Sequence, residues 1–158
     1  MKKFSIEIKW GVIFTVFTLL WMAMERALGW HDVHIDKHAV YTNLFAIPAI
    51  ILTALTLLDK RKNYFSGKMT WKQGFLTGLG LTLIIALFSP LSMWITNTLI
   101  TPHYFDNVIA YSVEAGKLTQ EAAEKHFSMG SYILQSVIGA IVMGVVTSAI
   151  VALFTKKN

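Results

Sequence analysis

Residues 129–154 read MGSYILQSVIGAIVMGVVTSAIVALF, and nothing in the run is charged. A helix of about 20 apolar residues crosses the roughly 30 Å of a bilayer's hydrocarbon core. Three more stretches have the same character, at about 10–28, 39–58 and 71–100. None shows the strict alternation of a membrane barrel strand. Helices, which satisfy their own backbone groups in lipid, are therefore expected. This reading makes the chain an all-α integral membrane protein, one domain over 1–158. It is a four-transmembrane-helix bundle, with a short helical extracytoplasmic segment at about 101–128 between helices 3 and 4.

Composition points the same way. Of 158 residues, 54% are hydrophobic and 15% charged, against about a quarter charged in an average soluble protein. Mean hydropathy is +0.54. These values argue against a soluble domain and against disorder. There is no cysteine, which excludes disulfides, thiolate metal sites and cysteine nucleophiles.

The cations give an orientation. Lys2, Lys3, Lys9, Lys60, Arg61, Lys62, Lys68, Lys72, Lys156 and Lys157 fall on one side of the four runs, and Lys37, Lys117 and Lys125 on the other. Ten against three places the first side, with both termini, in the cytoplasm by the positive-inside rule. The net charge of +5 follows from topology, and no nucleic-acid recognition motif accompanies the basic clusters. Trp10, Trp30, Trp71 and Trp94 fall near span ends, where indoles anchor at the headgroups. Trp21 does not fit that belt. The start resembles a secretory signal, but its apolar run is too long and Glu25-Arg26 follows, so a retained span is expected.

Within lipid, helices associate through close approach. Gly74, Gly78, Thr82, Ala86 and Pro90 recur every fourth residue, as do Ser136, Ala140, Gly144, Ser148 and Ala152. Each set lies along one helix face. The two faces are expected to meet within the chain, a homodimer seam being the alternative. Pro48 and Pro90 are expected to kink their spans. In the outer segment, Gly116 ends one short helix and Thr119 caps another, giving a small hairpin.

All five histidines fall on the outer side: His31, His34, His38, His103 and His126. The first three are spaced i, i+3, i+7, which on a helix shares one face, with Asp32 and Asp36 between them. Imidazole with carboxylate is a ligand set for zinc or copper. If the second outer segment folds over the first, His103, Asp106, Glu121, Glu124 and His126 add to the same site. The alternatives are interfacial residues that cap helix ends, or a pH-sensitive cluster. Glu25 and Arg26 are the only charges read as lying inside a span. Arg26 is expected to snorkel outward and Glu25 to face inward, with a possible role as a proton or cation ligand beneath the histidines.

No nucleophile elbow, phosphate loop, zinc-protease motif or dinucleotide fingerprint occurs. The other spans hold no ionisable group in their cores, which counts against a monomeric proton-coupled carrier. The expectation is a non-enzymatic membrane protein without a resident cofactor. It would act through binding or assembly among lipids, as a homo-oligomer, on an unspecified ion or small molecule. A small oligomeric transporter or channel, and an outer metal or pH sensor, are the alternatives.

IKWGVIFTVFTLLW (8–21), GWHDVHIDKHAVYTNLFAIPAI (29–50), MTWKQGF (69–75) and SAIVALFTKK (148–157) resemble the family known as domain of unknown function 4199. The resemblance covers nearly the whole chain. It implies a multi-pass protein of the bacterial inner membrane, and it implies no activity and no catalytic residues.

Overall fold

The computed structural model describes residues 3–157, so Lys2 of the cation count lies outside the described residues. The helices are α1 (Ser5–Ala27), α2 (Ile35–Tyr41), α3 (Ala46–Asn63), α4 (Trp71–Ile95), α5 (Tyr104–Glu114), α6 (Gln120–His126) and α7 (Met129–Thr155). A 3₁₀ turn, Thr42–Phe45, joins α2 to α3, and a π turn, Thr96–Ile100, extends α4. Four continuous stretches are long and apolar enough to cross a membrane: Ser5–Ala27, Ile35–Asn63, Trp71–Ile100 and Met129–Thr155. The fold is all-helical, with α5 and α6 forming the short segment before the last span.

Helix ends differ from the apolar runs because an amphipathic turn can continue a helix beyond its apolar centre. The first helix begins at Ser5 rather than near residue 10. The second spanning stretch covers Ile35–Asn63 rather than 39–58. These extensions bring Glu7, Lys9, Asp59 and Lys60 into helices, so Glu25 and Arg26 are not the only charges there. Glu7 and Lys60 are 2% and 3% exposed and pair at 2.8 Å. Asp59 accepts from Lys9, from Trp10 Nε1 at 2.7 Å and from Asn63 Nδ2 at 2.6 Å. The start of α1 and the end of α3 are thereby stitched together.

Met69 and Lys157 exchange backbone hydrogen bonds of 2.7 and 2.8 Å, which holds the end of α7 beside the start of α4. All four spanning helices thus have one lysine-rich end in common. Leu57, Met69, Val151 and Ala152 form its buried core.

The tightest seam is α4 against α7. Gly74 lies against Ala152, Gly78 against Ser148, and Gly144 against Thr82. A Cβ on Gly78 would overlap the Ser148 side chain, and one on Gly144 would overlap Thr82. Ala140 is half-buried farther along α7. The outside of the bundle is apolar: Leu83, Leu87, Leu153 and Phe154 are all well exposed. Such a belt is a liability in water and the natural exterior in hydrocarbon.

Local signals set the ends. Thr70 and Gln73 form a reciprocal capping box at the start of α4. Thr119 and Ser128 cap α6 and α7 through their hydroxyls. Pro48 sits in the first turn of α3, where a missing N–H costs little, and the 3₁₀ turn comes directly before that helix. Pro90 lies inside α4, which stays helical to Ile95.

Candidate metal centre

The site lies at the end of the bundle opposite the lysine-rich one. Helix α1 ends in a Schellman motif. Gly29 adopts φ +74°, its N–H bonds to the Arg26 carbonyl at 2.9 Å, and the Trp30 N–H bonds to the Glu25 carbonyl at 3.0 Å. The His34 N–H then returns to the Gly29 carbonyl at 2.8 Å. This reversal lays His31 back over the last turn of α1. Helix α2 starts at Ile35 and carries His38 to the same place.

Three side chains meet there. Glu25 is fully buried and His31 is 3% exposed. Trp21, one turn before Glu25, donates Nε1–H to Oε1 at 2.6 Å. That leaves Oε2, which His31 Nε2 approaches at 3.1 Å and His38 Nδ1 at 3.5 Å. The second distance is beyond normal hydrogen-bond length, and His38 Nδ1 is without a hydrogen-bond partner, as is His31 Nδ1. The imidazoles meet edge to face at 5.0 Å, and the Tyr104 ring packs against both at 5.3 and 5.2 Å. Asn107 Nδ2 donates to the His31 carbonyl at 3.0 Å, so α5 clamps the loop from above. Burial, with Tyr132 adding to it, holds the Tyr104 phenol well above its usual pKa. It stays a neutral hydroxyl, 3.1 Å from that of Tyr132.

One potential ligand atom from each of Glu25, His31 and His38 lies within 4.8 Å of the others. Ligands of a tetrahedral ion, with bonds of about 2.0–2.1 Å, stand about 3.4 Å apart. A small contraction therefore brings these atoms onto one ion. The chemistry also fits. Two imidazoles and a carboxylate suit zinc, copper and other late divalent ions. A buried carboxylate needs a cation or a hydrogen-bonded partner. Arg26, its neighbour in sequence, turns away and donates to the Ile100 carbonyl at the end of the π turn. Among the described residues, Glu25 has ion-pair contacts only with His31 and His38.

The other three histidines lie elsewhere. His34 precedes α2 and is exposed. His103 is exposed and 3.8 Å from Asp106. His126 is exposed and meets the Phe127 ring edge to face at 4.8 Å. The outer segment does fold over the first loop, but what it brings to the cluster is Tyr104 and Asn107. Glu121 and Glu124 stay exposed on α6.

Two cavities adjoin the cluster. A vestibule of about 280 Å³ is lined by Arg26, His31, Asp32, Thr101, His103 and Asn107. An inner chamber of about 200 Å³ is lined by His31, His38, Asn97, Tyr104 and Met93 among others. His31 and Thr101 belong to both. The π turn, closed by the Thr101 N–H on the Thr96 carbonyl at 2.7 Å, presents Thr96 and Asn97 to the chamber. Such turns often mark functional sites. Trp21, Asn97, Tyr104 and Tyr132 are absent from the histidine-based reading. Only Trp21 carried a signal, its four-residue spacing from Glu25.

No curated protein and no solved structure matches the chain. A family does match, over residues 9–157, which takes in every part of the cluster and both cavities, and the chain belongs to it: the family is described as Protein of unknown function (DUF4199).

Proposed function

We propose that this protein resides in the bacterial inner membrane with both termini in the cytoplasm. There it binds a divalent transition metal, zinc or copper, at Glu25, His31 and His38 on its outer face. It acts by binding rather than by catalysis, as an extracytoplasmic metal sensor. The observation that carries this reading is a fully buried carboxylate whose charge partners are two imidazoles. Three ligands and an adjoining cavity match a metal site with an open position more closely than a closed structural site. The close α4–α7 packing through Gly74, Gly78 and Gly144 supports binding over passage.

Zinc titration of the full chain in detergent is the test. One ion per chain with micromolar or tighter affinity is expected. His31→Ala and His38→Ala should each weaken it by more than the roughly 10- to 100-fold typical of outer-shell changes. His34→Ala should leave it unaltered. Zinc binding that survives both of the first two substitutions, or no binding by the unaltered chain, overturns the assignment.

A further inference from the structure

A residue lining the chamber beside the two imidazoles carries a polar atom whose partner the fold does not supply. Asn97 is 7% exposed, and its Oδ1 is buried without a hydrogen bond. The amide cannot be flipped to cure this. Its nitrogen donates to the Met93 carbonyl at 3.0 Å, and a carbonyl accepts only. The free atom is therefore an acceptor, on a residue that lines the same cavity as His31 and His38. Leaving a buried acceptor unmatched is unfavourable. Met22 and Met93 give the chamber an apolar wall, while Thr42 and Thr96 add hydroxyls. At about 200 Å³ it is smaller than most drug-sized ligand pockets, which begin at about 300 Å³.

We propose that the chamber takes a small exogenous ligand that joins a metal-binding oxygen or nitrogen to a neighbouring hydrogen-bond donor. The ligand's metal-binding atom fills the open position of an ion held by Glu25, His31 and His38. Its donor meets Asn97 Oδ1, and any short alkyl part lies against Met22 and Met93. This rests on the metal reading above and adds to it a ligand class and a residue that selects it.

Cobalt(II) serves as the probe, since its visible spectrum reports coordination. The full chain in detergent is loaded with cobalt and titrated with acetohydroxamate, which carries a donor, and with acetate, which does not. Both should change the spectrum. Asn97→Leu should leave cobalt uptake intact and lower the preference for acetohydroxamate over acetate about tenfold, the worth of one good hydrogen bond. Asn97→Ala repeats the comparison with a smaller side chain. Cobalt binding with a spectrum indifferent to both ligands means a closed coordination shell and overturns this inference while sparing the metal reading. An unchanged preference in both variants overturns the role of Asn97. Absence of cobalt uptake by the unaltered chain removes the metal reading and this inference with it.

Discussion

Glu25 has two carboxylate oxygens with separate duties. Oε1 accepts from the Trp21 indole, and Oε2 faces the two imidazoles. The indole fixes the rotation of the carboxylate, so it acts on any bound ion through Glu25. Trp21→Phe keeps most of the packing against Phe45, whose ring lies 5.6 Å away, and removes only the donor. We expect zinc affinity to fall by about 10- to 100-fold, the range for outer-shell partners, with helical content by circular dichroism unchanged. At this scale the sequence was only partly readable. The inward turn of Glu25 and the nearness of His31 and His38 follow from chain-local features: a charge in a span, and a glycine where the helix must stop. His31 and His38 lie close because of the reversal at Gly29, and a continuous helix would have aligned His34 with them. Tyr104, Asn107 and Asn97 come from chain far away, and nothing in their neighbourhood announces a site.

At the scale of elements, α4 and α7 depend on absent side chains. Gly78 and Gly144 let Ser148 and Thr82 occupy space a Cβ would need. Gly139, on the same α7, has nothing within 4 Å of where a Cβ would be. Gly78→Leu should therefore abolish or severely lower the thermal unfolding temperature in detergent, whereas Gly139→Leu should leave it nearly unchanged. Equal tolerance of both substitutions would mean that the seam does not carry the fold. The four spanning helices could be read from hydropathy because lipid demands long uninterrupted apolar runs. Helix ends could not, since hydropathy stops where charges begin and the hydrogen-bonded helix does not. The Glu7–Lys60 pair was hidden for that reason: each residue sits just past an apolar boundary, and only their shared depth in three dimensions makes them partners.

For the molecule as a whole, polarity is divided between two ends. Most of the lysines, Arg61 and the Met69–Lys157 tie gather at one, and the imidazoles, Glu25 and the two cavities at the other. The chain has no cysteine, so single cysteines introduced at exposed positions can be labelled without background. Cysteine at Lys62 or Lys68 should react with an impermeant maleimide only after the cells are opened. Cysteine at Asp36 or Lys117 should react on intact cells. The reverse pattern would put the Glu25 cluster in the cytoplasm and remove the outer-face assignment.

The buried Glu7–Lys60 pair has a consequence for how the chain is assembled. An unpaired carboxylate is costly at depth in a membrane, and its counter-ion is supplied from the far end of α3. During synthesis the first helix is therefore expected to reach its final depth only after residue 60 has emerged. The first two spanning stretches should then enter as a hairpin rather than one after the other, and in a nascent chain arrested before Lys60 the Glu7 carboxylate should stay reactive toward an aqueous carboxylate reagent.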